Sequence, residues 1–404
     1  MSLSAVQRRA IAAIVTVNFV TVSGFGLMFP VYADFGNQIG ATATELAWAI
    51  AAFSTGQLIA APVTGRLSDR FGRRPVLLVS LLLGSLAYLA NSLVGSPIML
   101  ITARFASGLA SGGFAVAFAV AADISTRENR ARVMGIVGAG FSAGIILGPA
   151  LGGIFGATAG EGSAFAAVCH ISAFMNLLAA AATLLLLPET RRVSTASKAL
   201  QRADRRALLA NPAFYVPVLV GFGAMTCVAM MEGTFVVYAE RVLALSSLQI
   251  GMTFAVMGTC SVLVQATLAG TLARRFGEYP MLLGAMAVQV VGLLILGNFA
   301  SYPLVVAGTI AISVGYALIT PAVSALASFA AEDDTQGMAQ GLVQGASSFG
   351  RILGPASAGP IYDGFGPTAP FLVGGAQMFL VLLLASLWRP HRSTARAQVS
   401  RGEV

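Results

Sequence analysis

Twelve apolar stretches, each about 20 residues long, constrain this chain more than any other feature of its sequence. A helix of that length crosses the hydrocarbon core of a bilayer. Inside lipid every backbone polar group needs a partner, and a helix supplies one for each. The stretches lie near 11–32, 46–64, 76–95, 98–122, 133–155, 164–187, 213–238, 249–272, 281–299, 303–330, 337–358 and 368–388. The pattern predicts an all-α integral membrane protein with twelve transmembrane helices.

The composition excludes several classes of protein. Hydrophobic residues make up 57% of the chain and charged residues 10%, whereas a soluble domain has about 25% charged residues. Lys198 is the single lysine and follows no glycine-rich loop, which argues against ATP binding. The two histidines and three cysteines occur in no metal-ligand spacing, so we expect neither a metal nor a cofactor.

The basic residues indicate an orientation. If the N-terminus is cytoplasmic, 21 of the 24 basic residues fall in segments on that side. Arg241 is then in an outer loop, and Arg104 and Arg351 lie within spans. This bias predicts an inner-membrane protein with both termini in the cytoplasm. It explains the net charge of +8 without a nucleic-acid partner.

A charged stretch between the second and third apolar runs has a counterpart in the second half of the chain. Gly65 to Pro75 carries five charges in eleven residues, which predicts a tight cytoplasmic turn. Gly270 to Pro280 repeats its shape about 205 residues later, and Gly144 to Ala150 repeats as Gly350 to Ala356 at a similar offset. We therefore expect two pseudo-symmetric six-helix bundles, 1–188 and 212–404, joined by a cytoplasmic linker, 189–211.

Five glycines recur every fourth residue in the fifth apolar run, at Gly140, Gly144, Gly148, Gly152 and Gly156. This spacing places them on one helix face that a neighbouring helix can approach closely. Pro149 adds a bend. The glycine ridge is either ordinary small-residue packing or a surface that slides between two states. We favour the second and predict gating roles for Gly144, Gly148 and Pro149.

Charged residues at the predicted cytoplasmic boundary are also candidates for gating. Asp69, Arg73 and Asp123 lie at the same predicted depth, so a charge network among them is plausible. Such a network can bias a conformational equilibrium by about 1 kcal/mol, although exposed pairs contribute little to stability. The alternative is anchoring by positive charge alone. We include Gly65, Arg70 and Gly72 of the same stretch in the predicted gate.

Four charged residues are candidates within or near the spans. Arg104 lies about 10 Å into the membrane and either clamps backbone carbonyls or serves transport. Glu232 lies about 12 Å from the end of its span, where a neutral carboxyl is favoured, so it is a candidate proton carrier. Asp34 is a weaker candidate, because a solvated loop position at the outer rim explains it better. Arg351 is embedded and has Ile145 as its counterpart. We expect a substrate cavity to include Met28, Phe29, Met231 and Arg351.

These motifs resemble those of the major facilitator superfamily, and within it the twelve-span drug:proton antiporters. The resemblance covers the whole chain. Gly65 to Pro75 is similar to the loop signature between helices 2 and 3, and Gly144 to Gly153 to the antiporter signature of helix 5. Arg104 to Gly108 and Gly26 to Pro30 resemble the signatures of helices 4 and 1, with Tyr32 in place of a second proline.

The resemblance implies a central cavity and alternating access. It also implies that Asp69 and Arg73 latch the cytoplasmic side in the outward-facing state, with Asp123 as relay and Arg104 assisting proton coupling. The second-half copy departs from the signature: Arg274 stands where Asp69 would repeat, and Glu278 where Arg73 would. A gate built on this stretch must therefore differ between the halves.

The predicted function is proton-driven export of hydrophobic or amphipathic small molecules such as drugs, by a monomer in the lipid bilayer. One alternative is an exporter of a specific metabolite, such as a sugar, amino acid or lipid. Another is a non-transporting sensor or scaffold, for which we expect an appended domain that the segments before the first span and after Trp388 are too short to form. An enzyme is not expected, since no convergent catalytic residues occur. Proton-coupled uptake stays open, although the glycine ridge argues against it.

Overall fold

The computed structural model describes residues 5–126, 129–159, 162–190, 211–331 and 335–387. The first half of this described chain contains eight helices. They are α1 (Ala5–Leu27), α2 (Phe29–Gln38), α3 (Ala43–Phe71), α4 (Arg73–Ser92), α5 (Pro97–Ala110), α6 (Gly113–Ile124), α7 (Arg130–Thr158) and α8 (Ala164–Leu186). The predicted linker and the tail after Trp388 lie mostly outside the described residues.

The second half begins with a short 3₁₀ helix, Pro212–Phe214, and continues with seven α-helices. They are α9 (Tyr215–Arg241), α10 (Ser247–Thr267), α11 (Ala269–Phe276), α12 (Glu278–Asn298), α13 (Tyr302–Phe329), α14 (Gln336–Phe365) and α15 (Ala369–Leu387). In each of the pairs α1–α2, α5–α6 and α10–α11, the second helix follows the first after a short break, so each pair forms one long helical segment. The described residues therefore contain twelve long helical segments at the twelve predicted positions, and the all-α prediction is confirmed.

Eleven of these segments are long and apolar enough to cross a membrane. The exception is α14, which is long enough but more polar. Its sequence places Gln340, Gln344, Ser347 and Arg351 on turns that line a cavity, and these side chains lower its mean hydropathy. Elsewhere many large apolar side chains face outward, for example Leu185 and Leu387, exposed at 78% and 79%. Such outward apolar surface fits contact with lipid tails rather than water.

The tight turn predicted within the charged stretch Gly65 to Pro75 is present, and it is a single residue. Helix α3 continues to Phe71 and α4 begins at Arg73, so Gly72 alone separates them. Gly72 has a φ of +106°, a conformation that side-chain-bearing residues rarely adopt. Gly277 breaks the chain in the same way between α11 and α12, with a φ of +85°. The predicted internal repeat thus extends to the backbone of this turn.

The helices alternate in direction, so the molecule has two ends. We call the end where α3 meets α4 the Arg73 end, and the end where α9 meets α10 the Arg241 end. Each half packs mainly within itself, and the principal contacts between halves are α3 with α14 and α7 with α10. These contacts involve the parts of the helices nearer the Arg241 end, such as Gly153 against Gly251 and Gly359 against Thr44.

The Arg73 end is more open. At Gly337, Gly341 and Gly345 of α14, an added Cβ would meet no atom within 4 Å. The same is true of Gly65 in α3 and Gly135 in α7. In the described chain the hydrogen bonds between the halves also all lie at the Arg241 end, so the halves are sealed together there and lack such bonds at the Arg73 end.

Candidate functional site

The predicted charge network is present at the Arg73 end. The Arg73 guanidinium lies 2.7 Å from Asp69 Oδ1 through Nη1 and 3.0 Å from Asp123 Oδ2 through Nε. Nη1 also donates a hydrogen bond to the hydroxyl of Ser68. Arg73 and Asp123 are mostly buried, whereas Asp69 is 66% exposed. The network joins α3, α4 and α6 within the first half, and Asp69 is the member available to a second partner. Arg70, on the last turn of α3, lies over the ring of Phe71.

Glu189 completes this cluster from the end of the first half. Its carboxylate accepts hydrogen bonds from the backbone N–H groups of Arg73, at 2.8 Å, and Arg74, at 3.3 Å. These are free donors at the N-terminus of α4, where a negative charge is stabilising. A Cβ on Gly72 would lie 2.5 Å from Glu189 Oε2. Glycine at position 72 is required by its φ of +106°, whereas the flexible end of the Glu189 side chain could move away from a Cβ.

The second-half copy of the stretch has no such network among the described residues. Arg274 donates a 3.4 Å hydrogen bond to Thr271 on its own helix. The described ion pairs closer than 4.0 Å all belong to the Arg73 cluster. The expectation that this stretch differs between the halves is therefore confirmed.

Arg104 is buried in α5, 2% exposed, inside a cage of aromatic rings. Its guanidinium carbon lies 4.8 Å from the ring centre of Phe53, 5.5 Å from that of Phe25 and 6.0 Å from that of Tyr32. Its Nη1 is 2.9 Å from the sulfur of Met28, and Nε has no hydrogen-bond partner in the described part of the chain. The carbonyl clamp considered from the sequence is not seen. Rings and sulfur stabilise this cation instead.

The glycine ridge of α7 packs on α1, within its own half. A Cβ on Gly148 would lie 2.9 Å from Ser23 Cα, and one on Gly144 2.8 Å from Val22 Cβ. The contact with the other half is made by the adjoining face, where a Cβ on Gly251 would lie 2.5 Å from the carbonyl oxygen of Pro149. The close helix approach predicted from the ridge is present, and the gating role of Gly144, Gly148 and Pro149 stays a prediction.

Polar contacts join the halves at the Arg241 end. Asn37 donates to Glu240 at 2.6 Å and accepts from Arg241 at 2.7 Å. Asp363 Oδ2 accepts from the backbone N–H of Thr44, at 2.9 Å, and from its hydroxyl, at 2.6 Å. Asp363 thereby caps the N-terminus of α3 from the opposite half.

Asp34 lies nearby on α2, as an exposed helical residue rather than the loop residue that we considered. It accepts a 3.0 Å hydrogen bond from Gln38. It lies at the Arg241 end, and its predicted place at the outer rim stays a prediction.

A cavity of about 190 Å³ lies within the second half, on the side of the Arg73 end. Residues of α9, α13 and α14 line it, among them Met225, Tyr316, Thr320, Gln344, Ser347 and Arg351. Arg351 Nη2 lies 3.8 Å from the sulfur of Met225, and the Tyr316 hydroxyl lies 3.2 Å from the same sulfur. The lining includes no carboxylate. Arg351 is therefore the charged residue of this cavity lining. Arg351 was also predicted from the sequence to lie in a cavity.

The other predicted cavity residues lie elsewhere. Met28 and Phe29 line a pocket of about 10 Å³ beside Arg104, with room for about one water molecule. Phe29 also stacks on Phe254 of the other half, with ring centres 5.1 Å apart. Met231 is fully buried and lines neither space.

Glu232 lies on α9, about 10 Å from Met225 along the helix toward the Arg241 end. It makes no ion pair within 4.0 Å among the described residues. The positive charge of Arg351, on the adjacent helix α14, acts on it. No basic residue lies beside Glu232 in the sequence of its own span, so Arg351 is the cation that the fold brings toward it.

Comparison with protein families decides the class. The family model of the Major Facilitator Superfamily matches residues 14–267 and 235–403. The chain belongs to this superfamily. Tetracycline resistance protein, class C, of Escherichia coli is 30% identical over 93% of this chain and 96% of its own length. Multidrug resistance protein 2 of Bacillus subtilis is 26% identical over 94% of this chain and 95% of its own length.

Solved structures agree with the fold. The crystal structure of the nucleoside transporter NupG superposes with a TM-score of 0.76 at 12% identity, covering 94% of this chain and 98% of that one. The predicted resemblance to the superfamily and its drug-exporting members is confirmed. By family and fold the chain is a multi-pass membrane transporter.

Three features of this superfamily member were not found from the sequence: the cap by Glu189, the cap by Asp363, and the hydroxyl and amide lining around Arg351. Each depends on residues far apart in the chain, for example 116 positions between Glu189 and Arg73 and 319 between Asp363 and Thr44. The low hydropathy of 337–358 was the one available signal, since a polar face on a span marks a cavity.

Proposed function

We propose that the protein exports hydrophobic or amphipathic small molecules, such as drugs, in exchange for protons, by alternating access. It does so as a monomer in a bacterial inner membrane. The drug-resistance relatives support the substrate class. The seal at one end and the separation at the other support alternating access, because a carrier of this kind opens to one side at a time.

The proposed orientation places the Arg73 end in the cytoplasm. The basic residues Arg66, Arg70, Arg73, Arg274 and Arg275 lie at that end, as the positive-inside rule requires of a cytoplasmic side. The conformation described here is then inward-facing, and the Arg351 cavity is the part reached from the cytoplasm. The domain boundaries 1–188, 189–211 and 212–404 and the cytoplasmic termini belong to the same proposal.

The proposed proton coupling rests on the position of Glu232. It is a carboxylate about 13 Å from the Arg241 end of α9, without a close ion pair in the described structure. A half-buried carboxylate within the membrane and without such a partner favours its neutral form, and it ionises when water or a cation reaches it. It can therefore hold a proton taken from outside and release it when substrate enters from the cytoplasm. Arg104, in its aromatic cage, and Asp34 are the secondary candidates.

The test compares two modes of transport by one reconstituted protein. We expect Glu232→Gln to abolish export of tetracycline or ethidium driven by a pH gradient, because glutamine cannot titrate. Counterflow exchange of the same compound should continue, since it moves no net proton. Asp34→Asn is the matched control and should keep both activities. Gradient-driven export that is unchanged in Glu232→Gln would rule Glu232 out and make Asp34 the next carrier to test.

A specific metabolite is the second candidate substrate, and the polar lining of the cavity favours it. Thr320, Gln340, Gln344 and Ser347 offer hydrogen bonds that a purely apolar drug would leave unmet. A panel of sugars, amino acids, lipids and drugs in inverted vesicles, with proton release as the readout, separates the two. Proton release on addition of one metabolite, but not of any drug, would favour the specific exporter. If none of these compounds causes proton release, a sensor or scaffold is favoured.

A further inference from the structure

The cavity around Arg351 carries a positive charge, whereas a binding site for a simple cation needs a negative one. Arg351 is half-buried and lines it together with hydroxyl and amide side chains, and no carboxylate lines it. In the described chain no carboxylate oxygen lies within 4.0 Å of its guanidinium. An embedded arginine without a close counter-ion attracts anions strongly, because low dielectric leaves its charge poorly screened.

The rest of the lining also suits an acidic group. Ser347 is one helical turn before Arg351 on α14, and Tyr316 and Thr320 face it from α13. Guanidinium and hydroxyl groups donate hydrogen bonds, and carboxylate and phenolate oxygens accept them. The thioether of Met225 already takes the Tyr316 hydroxyl and the weaker contact from Arg351, and it is a poor acceptor that an anion would displace.

The balance of charge between Arg351 and Glu232 limits the substrate further. Glu232 does not line the cavity, but it lies on the same face of α9 as Met225, about two helical turns nearer the Arg241 end. When Glu232 is protonated, Arg351 and Glu232 together carry one positive charge; when it is ionised, their charges cancel. A simple anion would bind best to the protonated form, so it would travel with the proton. Antiport requires a substrate that binds best to the ionised form. A molecule with a basic group for Glu232 and an acidic group for Arg351 meets both conditions.

We propose that Arg351 binds the acidic group of a zwitterionic amphipathic substrate, whose basic group displaces the proton from Glu232. The proton leaves Glu232 for the water at the open Arg73 end. This inference rests on the proposed proton antiport and names its substrate class.

Equilibrium binding to the detergent-purified full chain tests the inference without any proton gradient. The probes are rhodamine B, which carries a carboxylate and a cationic ring system, and its ethyl ester, which has the same rings but no acid. We expect the wild type to prefer rhodamine B by about tenfold, the effect of one charge-assisted contact. Arg351→Gln should remove that preference, and Arg351→Lys should keep most of it.

A second variant pair does not depend on replacing the arginine. Ser347→Glu places a carboxylate four residues before Arg351, where the two side chains can pair, and it should reduce the preference for rhodamine B about as much as Arg351→Gln. Ser347→Gln, of the same size but neutral, should not. Each variant is compared at equal recovery of monodisperse protein by size-exclusion chromatography.

The outcomes separate this inference from the proposed function. Equal or tighter binding of the ester by the wild type overturns the zwitterion inference, and so does an unchanged preference in both Arg351→Gln and Ser347→Glu. If the wild type binds neither dye, the zwitterion inference is overturned as well. In each case the gradient-driven export assay still decides the proton antiport on its own.

Discussion

The two halves of the molecule each hold one arginine within the membrane, and they treat it in opposite ways. Arg104 in the first half is 2% exposed and enclosed by three aromatic rings beside a space of about 10 Å³. Arg351 in the second half lines a cavity of about 190 Å³ whose walls combine polar and apolar side chains. The internal repeat therefore does not give the two arginines equal surroundings. The first half encloses its cation in aromatic rings, and the second leaves its cation facing a cavity.

The sharpest test of this difference is the same conservative change at both sites. Arg104→Lys removes the planar guanidinium that the rings of Phe25 and Phe53 surround, and lysine does not replace arginine at a stacked site. We expect it to lose about 2 kcal/mol of cation–π stabilisation and about tenfold or more in transport rate. Arg351→Lys keeps a positive charge in an open cavity and should lose less than about threefold. Thermal unfolding in detergent and export rates in proteoliposomes measure both. Equal losses at the two sites would remove the distinction between a caged and an available cation.

The two ends of the molecule give the next comparison. An added methyl group at Gly251 would lie 2.5 Å from the Pro149 carbonyl of the other half, whereas one at Gly345 meets nothing within 4 Å. Gly251→Ala should hinder closure of the Arg241 end and lower transport about tenfold, the effect of about 1–3 kcal/mol of overpacking. Gly345→Ala is the matched control, since both changes gain the same helix propensity. Normal transport by Gly251→Ala would mean that the seal between α7 and α10 is not part of the cycle.

The third comparison is between the charged stretch Gly65 to Pro75 and its second-half copy, Gly270 to Pro280. Asp69 pairs with Arg73, and its counterpart Arg274 makes only a local hydrogen bond. We expect Asp69→Asn to lower transport about fivefold, corresponding to about 1 kcal/mol of conformational bias, with substrate binding and protein level retained. Arg274→Gln should change transport less than twofold, about the range of a surface substitution. If both variants behave alike, the first-half stretch is only an anchor.

The sequence predicted more of the fold than of the site, and particular residues explain why. The twelve spans follow from the apolar runs, and the Asp69–Arg73–Asp123 network from equal predicted depth. The rotation of each helix about its own axis was not predictable, because apolar side chains occupy both the face that meets lipid and the face that meets other helices. The predicted cavity place of Met231, which does not line the Arg351 cavity, therefore stays a prediction, and the aromatic partners of Arg104 were missed. The glycine ridge was correctly read as a close contact, but its neighbour, α1, could not be identified from one sequence.

The smallest effect that we predict concerns the seal itself, at the N-terminus of α3. This helix end has two caps: a capping box from Thr42 and Glu45 in its own half, and the Asp363 carboxylate from the other half. The first cap persists whenever the first half is folded, whereas the second exists only while the Arg241 end is closed. Deleting them should thus have different consequences. A helix cap contributes about 1 kcal/mol, so Asp363→Ala should shift the equilibrium between open and closed ends about fivefold toward the open one. Thr42→Ala should lower the unfolding temperature and leave that equilibrium unchanged. Spin labels at the exposed positions Leu93 and Phe299, one in each half at this end, report the equilibrium as a distance distribution. A distribution that is the same in wild type and Asp363→Ala would show that the carboxylate contributes nothing to the seal, and an equal shift in Thr42→Ala would show that the two caps are not distinct.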